Sequence, residues 1–382
     1  MKIAVVGAGF SGAVVAHQLV QKGHLIDVFE SRNHVAGNCY TQRDPETGVL
    51  VHVYGPHIFH TSNEEVWKYI QQFGKFMPFT NRVKTTYQGK VYSLPINLMT
   101  INNFFGKSYS PKEARDFIAS IGGLSRSEPI NFEEKAISTI GQALYDAFFY
   151  GYTKKQWGID PSELPASILK RLPVRFDYND NYYESKYQGI PIDGYTSLVT
   201  NMLEHEGINV HLASKFSKNL QSNYDHVFFS GSIDSWFNYD LGRLDYRTLD
   251  FQLERHNGDF QGVAVMNYGD ADIPWTRISE HKHFAPWEQH EKTVIYREFS
   301  RACISDDTPY YPIRLLKEKS LLQKYVEKAS LESGVTFLGR LGTYRYLDMH
   351  VTIAEALDVS KAFDESITKK QRMPSFISNP LN

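Results

Sequence analysis

The chain begins Met1-Lys2-Ile3-Ala4-Val5-Val6-Gly7-Ala8-Gly9-Phe10-Ser11-Gly12, an apolar run of strand length followed at once by glycines in the pattern G-x-G-x-x-G. Residues 13–21 have helical periodicity, and Leu25-Ile26-Asp27-Val28-Phe29 is a second strand-like run that leads into Glu30. A strand, a glycine turn, a helix and a second strand in this order predict one β-α-β unit that binds a dinucleotide.

Each residue of this fingerprint has a physical task. We expect Gly7 to make the tight turn, Gly9 to let the backbone approach a pyrophosphate, and Gly12 to let helix and strand pack closely. The N–H groups of the helix start, around Ser11, would face the negative charge of the phosphates. Glu30 ends the second strand, where an acidic side chain would bond a ribose hydroxyl.

The segment after Glu30 narrows the choice of cofactor. Arg32, Gly37 and Asn38 form an R-x-x-x-x-G-N stretch directly after the second strand. This stretch resembles the motif of the glutathione-reductase-like class of FAD proteins, in which it crosses back over the cofactor. That class usually has two glycines here, whereas this chain has Ala36 before Gly37. NAD enzymes lack the segment, so FAD is favoured over NAD.

Composition excludes several classes of protein. The chain has 382 residues, a length that suggests two or three units, with 42% hydrophobic and 22% charged residues, as in ordinary soluble globular proteins. Its formal net charge is -2 without a basic block, which argues against nucleic acid as a partner. No run approaches the ~20 apolar residues of a membrane span. We therefore expect a cytoplasmic enzyme with no membrane partner.

The two cysteines, Cys39 and Cys303, are too few for a disulfide framework, and no Cys/His cluster has metal-binding spacing. No metal site is predicted. Aromatic content is high, at 14% with 24 Tyr and 24 Phe. Much of this must be core, but tyrosine in polar settings also suits the walls of a nucleotide or sugar site.

Patterns along the rest of the chain predict further elements. Residues 79–94 read as a hairpin that turns at Gln88-Gly89, and 133–150 as one helix. Residues 171–195 are rich in Tyr, Asn and Asp without periodicity, which predicts a mobile loop. Residues 245–300 alternate in short strands, as in an antiparallel sheet. The strand-like runs at 226–231 and 335–340 would return to the nucleotide sheet.

These elements predict an α/β fold with three parts. The first is a discontinuous Rossmann-like FAD-binding domain of residues 1–78, 196–242 and 318–382. The second is a helical insert of residues 97–195, which carries the mobile loop 171–195. The third is an antiparallel β-sheet substrate domain of residues 79–96 and 243–317.

Several segments together resemble one family, the bacterial UDP-galactopyranose mutases. They include Gly55-Pro56-His57-Ile58-Phe59-His60-Thr61, Gly151-Tyr152-Thr153-Lys154-Lys155-Gln156-Trp157-Gly158, Lys170-Arg171-Leu172-Pro173-Val174-Arg175-Phe176, Pro274-Trp275-Thr276-Arg277, Pro309-Tyr310-Tyr311-Pro312 and Tyr346-Leu347-Asp348-Met349-His350. The resemblance covers almost the whole chain, in order and at matching spacing.

The resemblance implies an FAD-dependent isomerase that interconverts UDP-galactopyranose and UDP-galactofuranose without net redox change. N5 of the reduced flavin would act as the nucleophile on the anomeric carbon. The substrate would be UDP-galactose, a homodimer is expected, and the product would enter cell-surface polysaccharide biosynthesis.

The resemblance also assigns substrate-binding residues. Arg171 and Arg277 would hold the diphosphate and are our catalytic candidates, since two guanidinium groups from different segments can clamp phosphate oxygens. Taken alone, most arginines only cover a surface. Tyr182 would stack on uracil, and Tyr311 and Tyr346 would bond the diphosphate. The remaining residues implied for the substrate are Asn81, Phe149, Tyr152, Thr153, Trp157 and Asn267. Without the resemblance, Tyr152 and Trp157 would be interpreted as aromatic residues that pack a helix.

The flavin end of the site is assigned in the same way. His57, Ile58 and His60 would lie beside the flavin ring and the sugar, with His60 as a third catalytic candidate. A lone histidine is otherwise most often a satisfied core residue. Arg340, Asp348 and Met349 would lie near the flavin at a helix start, where N–H groups can bond its ring.

Two alternatives stay open on the sequence. One is a flavin amine-oxidase-like oxidoreductase, which would oxidise its substrate. The other is a non-enzymatic binding module on the same scaffold, similar to the Rab GDP-dissociation inhibitors, which would carry no flavin. No Ser-His-Asp or Cys-His signature is evident, so an enzyme of this sequence depends on its cofactor for the hard step.

Overall fold

The computed structural model describes residues 1–122, 129–166, 174–305 and 307–382. Its strands are β1 (Lys2–Val6), β2 (Leu25–Phe29), β3 (Thr41–Arg43), β4 (Leu50–His52), β5 (Phe59–Thr61), β6 (Phe76–Pro78), β7 (Val83–Tyr87), β8 (Lys90–Leu94), β9 (Tyr187–Pro191), β10 (Ile208–His211), β11 (His226–Phe229), β12 (Tyr246–Asn257), β13 (Val265–Tyr268), β14 (Arg277–Glu280), β15 (Lys292–Ala302), β16 (Tyr311–Pro312) and β17 (Val335–Phe337).

The α-helices in the same ranges are α1 (Phe10–Val20), α2 (Glu64–Ile70), α3 (Leu98–Phe105), α4 (Pro111–Ile121), α5 (Phe132–Ile140), α6 (Gln142–Tyr145), α7 (Gly151–Trp157), α8 (Gly194–Leu203), α9 (Ile233–Trp236), α10 (Leu316–Leu331), α11 (Gly339–Gly342) and α12 (Met349–Thr368). Short 3₁₀ turns occur at Gly37–Cys39, Pro161–Glu163, Lys218–Asn223 and His281–Phe284, and a π-helix at Asp146–Tyr150.

A five-stranded parallel sheet forms the predicted nucleotide-binding unit. Its strand order is β10-β2-β1-β11-β17, and every neighbouring pair is parallel. The predicted return of residues 226–231 and 335–340 to this sheet is confirmed, although β17 ends at Phe337 and α11 begins at Gly339. Because β1 is central, both its faces are covered, which explains why Ile3, Ala4 and Val5 are fully buried.

Helices cover this sheet and form the largest described core. α1 packs against α12 and α8, and Val14, Leu19 and Ile353 from these helices are inaccessible to solvent. The opposite face carries α9 and α10, whose Trp236 and Tyr325 are buried with Phe337. The start of α1 is therefore held rigidly against the end of β1, where the glycine fingerprint lies.

A seven-stranded sheet lies in the part of the chain that the sequence predicts to be the substrate domain. Its order is β16-β12-β15-β14-β13-β7-β8. The hairpin that turns at Gln88-Gly89 is confirmed as β7 and β8. The neighbouring pairs are antiparallel except β7 and β13, which are parallel. The predicted antiparallel sheet is thus present with one parallel pair, because β7 joins it from a distant part of the chain.

Two sequence predictions of secondary structure are wrong in part. The helix predicted over 133–150 is broken at Gly141, whose φ of 79° ends α5. The loop predicted over 171–195 contains β9, which pairs with both β5 and β6, and the start of α8. Residues 167–173 at its base lie outside the described residues. No helix in the described ranges is long and apolar enough to cross a membrane.

Candidate active site

The glycine fingerprint has the geometry that its sequence predicts. Gly7 has a φ of 101°, which few other residues adopt, and so makes the turn after β1. A Cβ atom on Gly12 would lie 1.9 Å from the carbonyl oxygen of Gly7 and 3.0 Å from a methyl of Val5. Helix and strand can therefore approach only with glycine at position 12. α1 starts after Gly9 without a side-chain cap, so its first N–H groups remain for a ligand.

Glu30 and Arg32 close one side of this turn. Oε2 of Glu30 accepts the N–H of Ala8 at 2.9 Å, and Oε1 accepts the N–H of Arg32 at 2.9 Å. The Arg32 guanidinium lies 4.5 Å from the Tyr54 ring centroid and donates through Nη2 to Asn38 Oδ1 at 2.9 Å. Its Nη1 is buried without a hydrogen-bond partner among the described residues. A buried charged donor without an acceptor fits an anionic or oxygen-rich ligand.

A second helix start faces the same space. α12 begins at Met349, and Asp348 at its N-cap makes no side-chain capping bond. Arg340 donates through Nη2 to the carbonyl of Tyr310, and its guanidinium lies 4.9 Å from the Tyr346 ring centroid. Two helix N-termini and two arginines therefore surround this end of the site.

One continuous cleft of about 1040 Å³ joins these groups to the predicted substrate residues. Most of the predicted site residues line it: Gly7, Gly9, Ser11, Glu30, Arg32, Asn38, His57, Ile58, His60, Asn81, Tyr152, Tyr182, Asn267, Arg277, Tyr311, Arg340, Tyr346, Asp348 and Met349. Gly12, Phe149, Thr153 and Trp157 do not line it in the described structure. Arg171 lies outside the described residues.

The three substrate candidates that do not line the cleft lie in α7, the helix of Tyr152, and in the π-helix directly before it. Phe149 is buried in the helical core, with its ring centroid 6.2 Å from that of Phe132. Thr153 is buried, and Trp157 packs on the same core. Their contact with a substrate stays a prediction.

Arg277 is held by a buried carboxylate. Its Nε donates to Oε2 of Glu298 at 2.7 Å, while Thr276 Oγ1 lies 3.2 Å from Oε1 of the same residue. Burial alone would lower the pKa of Arg277, but the Glu298 carboxylate raises that pKa well above its ordinary value. Because the bond uses Nε, the two outer nitrogens stay available to an anion in the cleft.

The two predicted histidines are neutral. His57 Nδ1 lies 2.9 Å from the carbonyl oxygen of Gly55, and burial lowers the pKa of His57 to about 4. The His60 ring stacks on Tyr183 with centroids 3.7 Å apart, and its Nδ1 is 3.0 Å from Ser185 Oγ. Burial lowers the pKa of His60 to about 4 as well. At neutral pH neither side chain is an imidazolium, so neither can donate a proton from that form.

His60 also belongs to a group that sequence spacing did not reveal. His60, Asp348 and His350 offer three metal-ligating atoms within 4.8 Å of one another. These residues come from β5 and the start of α12, so no local motif links them. His60 and Asp348 line the same cleft as the cofactor candidates.

Buried amide oxygens lie at the end of the cleft where the sequence predicts the substrate. Asn81 Oδ1 and Asn267 Oδ1 are both buried without a hydrogen-bond partner among the described residues. The carbonyl of Asn81 accepts the N–H of Tyr182 at 2.8 Å, which fixes that tyrosine beside the cleft. The Tyr311 and Tyr346 ring centroids lie 5.5 Å apart. This end presents hydroxyl, amide and guanidinium groups on aromatic walls, a surface suited to a polar, aromatic ligand.

Comparisons with known proteins agree with this geometry. The sequence model of the family "GLF: UDP-galactopyranose mutase" matches residues 147–346, and a model of the NAD(P)-binding Rossmann-like domain matches residues 5–73. A Klebsiella pneumoniae protein named "Probable UDP-galactopyranose mutase" is 55% identical over 374 residues, 98% of this chain and 97% of the relative. The chain belongs to the UDP-galactopyranose mutase family.

Two further matches are a curated relative and a solved structure. A dTDP-fucopyranose mutase from Escherichia coli is 50% identical over 369 residues, 95% of this chain and 98% of the relative. The crystal structure of a reduced UDP-galactopyranose mutase has a TM-score of 0.73 at 14% identity, and covers 95% of each chain. The predicted Rossmann-like α/β fold is confirmed, and the chain is an isomerase of this family.

Sequence reasoning missed three residues of the site region. Glu298 bonds Arg277 and Tyr183 stacks on His60, whereas Lys155 bonds backbone carbonyls of the segment between Asn267 and Arg277. A signal for Glu298 was present, because a carboxylate inside the apolar strand Thr293-Val294-Ile295-Tyr296-Arg297-Glu298-Phe299 needs a buried partner. Tyr183 and Lys155 had no comparable signal.

Proposed function

We propose that the chain is an FAD-dependent mutase that interconverts UDP-galactopyranose and UDP-galactofuranose without net redox change. The observation that carries the proposal is one continuous cleft, lined by the dinucleotide fingerprint and also by Arg277 with its neighbouring tyrosines. A cofactor in the first part and a nucleotide sugar in the second would meet inside one site. Membership of the mutase family supports this choice of chemistry.

The described residues fit FAD. Gly9 and the start of α1 would hold the pyrophosphate, and Glu30 would accept from a ribose hydroxyl. The buried Nη1 of Arg32, which lacks a protein acceptor, would gain one from the cofactor. The N–H groups after Asp348, at the start of α12, would bond the flavin ring, with Arg340 close by.

When bound and reduced, the flavin supplies the nucleophile, its N5, for the anomeric carbon. The protein's part is then to bind and orient the sugar nucleotide and to stabilise the diphosphate as it leaves. Arg277 neutralises that charge from a guanidinium fixed by Glu298. Arg171, predicted from the motif, would be the second half of the clamp.

The histidines act by shape and hydrogen bonding. With pKa values lowered to about 4, His57 and His60 are uncharged at neutral pH. His60 would form part of the wall beside the sugar, kept in place by its stack on Tyr183. Neutral histidines would add no charge to this wall, so the positive charge offered to the diphosphate would come from arginines that line the cleft, among them Arg277 and Arg340.

The experiment is to incubate the purified protein with UDP-galactofuranose, with and without dithionite, and to separate the products by chromatography. We expect UDP-galactopyranose to form only with reduced enzyme, and bound FAD to be released on denaturation. A parallel arm uses dTDP-fucofuranose, because one relative of similar identity is named for the dTDP-fucose reaction. Equal turnover by oxidised and reduced enzyme, or preference for the dTDP-sugar, would contradict the proposal.

A further inference from the structure

We propose that Lys155 is a positioning residue that holds the strands of Asn267 and Arg277 against the helix that carries Tyr152, and so fixes these three residues relative to one another in the substrate cleft. The inference rests on the proposed function, because it concerns the same substrate site. Lys155 does not line the cleft, so it would act through the residues that do.

The Lys155 ammonium group sits in a cage of backbone carbonyls. Its Nζ lies 2.8 Å from the carbonyl oxygen of Tyr268, 2.9 Å from that of Asp270, 3.0 Å from that of Ile273 and 3.1 Å from that of Trp275. An ammonium group has three donors, so these acceptors fully occupy it. No short side chain could reach all four carbonyls at once.

The cage spans the connection between the two strands that carry the ligand groups. β13 ends at Tyr268, directly after Asn267, and β14 begins at Arg277, two residues after Trp275. The irregular segment between them, residues 269–276, therefore determines where the end of β13 lies relative to the start of β14. Lys155 gathers carbonyls from both ends of this segment.

Lys155 also joins this segment to the helix that carries Tyr152. Both residues lie in α7, three positions apart and hence on the same side of the helix. The helix is packed tightly against the segment: a Cβ atom on Gly151 would lie 2.2 Å from the carbonyl oxygen of Gly269. At its far end, Arg247 and Ser300 bond the carbonyl of Gln156. Tyr152, Asn267 and Arg277 are thus linked through one lysine.

The surroundings of Lys155 agree with a charged, fixed group. Burial lowers the pKa of Lys155 to about 8, while the carboxylates of Asp270 and Asp272 act to raise it. The neighbouring Lys154 is exposed, and among the described residues its ammonium group bonds the Tyr150 hydroxyl and pairs with Asp160 on the outside of the helix. Two adjacent lysines in one motif therefore have separate roles, and Lys154 provides a matched control.

The test compares Lys155→Met with Lys154→Met as purified holoenzymes. Tyr152, Asn267 and Arg277 would lose their fixed spacing in Lys155→Met, and small displacements of this kind cost roughly 10–100-fold in rate. We expect kcat/KM for UDP-galactofuranose to fall by that factor and the Kd for UDP to rise, with the FAD content unchanged. Lys154→Met should stay within about twofold of the parent on each measurement.

Lys155→Ala supplies a second, independent measurement. Propylammonium has the three carbons and the ammonium group that this substitution removes, so it should enter the cage and restore activity in a saturable manner. Lys154→Ala should not respond. Full activity of Lys155→Met would overturn the proposal, and so would loss of FAD in step with activity, or a lack of rescue. If the parent enzyme binds UDP but does not turn over UDP-galactofuranose, the proposed function fails while UDP binding still tests Lys155.

Discussion

Arg277 and Glu298 are paired in register across β14 and β15, and the carboxylate of Glu298 fixes the guanidinium of Arg277 by a bond to its inner nitrogen. Glu298 is only 1% exposed, so its charge is stabilised by Arg277 and Thr276 rather than by water. A carboxylate beside the proposed anion site would repel the substrate if it stood alone. Paired with Arg277, it instead binds Nε and leaves the two outer nitrogens of this cleft-lining arginine for a ligand.

Glu298→Gln should therefore weaken catalysis without emptying the cofactor site. Glutamine keeps the shape and an acceptor oxygen but replaces a charge-assisted bond by a neutral one, a loss of about 1 kcal/mol. We expect roughly a fivefold fall in kcat/KM for UDP-galactofuranose. Glu254→Gln is the control, because Glu254 pairs with Arg297 on the same sheet and does not line the cleft. Equal effects of the two substitutions would show that charge at this position has no special role.

Replacing either proposed diphosphate-binding arginine by alanine should lower kcat/KM more than Glu298→Gln does. Arg277→Ala removes a charge-assisted bond worth about 1.5–3 kcal/mol, or roughly 10–100-fold in kcat/KM. We predict the same for Arg171→Ala if it completes the clamp. FAD content, measured by absorbance, should stay normal, since neither residue belongs to the nucleotide fingerprint. Should one variant keep full activity, that arginine does not contact the diphosphate.

Arg175 should control how firmly Tyr182 is held. Its buried guanidinium donates to the carbonyls of Asn179 and Asn181 and pairs with Glu184 at 3.0 Å. Arg175→Ala would leave these carbonyls unpaired, so we expect weaker UDP binding and faster proteolysis within residues 174–186. Saturating UDP should slow the cleavage.

The control for Arg175 is Arg82→Ala, which removes an exposed partner of Asp180 in the same segment. An exposed ion pair contributes only about 0–1 kcal/mol, so this variant should resemble the parent. Unchanged UDP affinity in Arg175→Ala would mean that the segment keeps Tyr182 in place without the hydrogen bonds of Arg175.

A buried histidine pair should make the protein sensitive to acid. His52 and His281 stack with centroids 6.1 Å apart, and both are nearly inaccessible to solvent. Burial lowers the pKa of His281 to about 3 and that of His52 well below its ordinary value of 6.5. Below pH 6.5 these histidines bind protons in the unfolded chain but not in the folded chain. Their neutral, buried state therefore costs no stability above pH 6.5, and the free energy of unfolding falls as the pH drops toward 3.

At pH 5 the lowered pKa of His281 should reduce the free energy of unfolding by about 2 kcal/mol relative to neutral pH, and His52 should reduce it further. Urea unfolding at pH 7.5 and pH 5.0 measures this difference. His281→Asn should show a smaller difference between the two pH values, whereas His205→Asn, at an exposed position, should not. A parent protein equally stable at both pH values would contradict this account.

The local geometry of the glycine fingerprint could be predicted from the sequence. The turn at Gly7, the packing at Gly12 and the position of Glu30 follow from a few consecutive residues, and the structure has them as expected. The motif residues at the substrate end were located by family resemblance, and Asn81, Tyr152, Tyr182, Asn267, Arg277, Tyr311 and Tyr346 line one cleft.

Contacts between distant segments could not be predicted in this way. β9 lacks a periodic apolar face, yet it forms a strand because β5 and β6 offer backbone partners on both sides. The Lys155 cage needs four carbonyls of a segment over a hundred residues away. Neither residue type nor spacing predicts such contacts, because the partners come together only when the sheets have formed.

The nucleotide sheet takes β1 and β2 from the beginning of the chain and β17 from near its end, and the helix start at Met349 comes later still. During translation, the glycine turn leaves the ribosome long before the residues proposed to meet the flavin ring. A nascent chain therefore has half a binding site throughout most of its synthesis. Capture of the proposed flavin would therefore have to wait until α12 has emerged, which would make cofactor loading a late step in the synthesis of this protein.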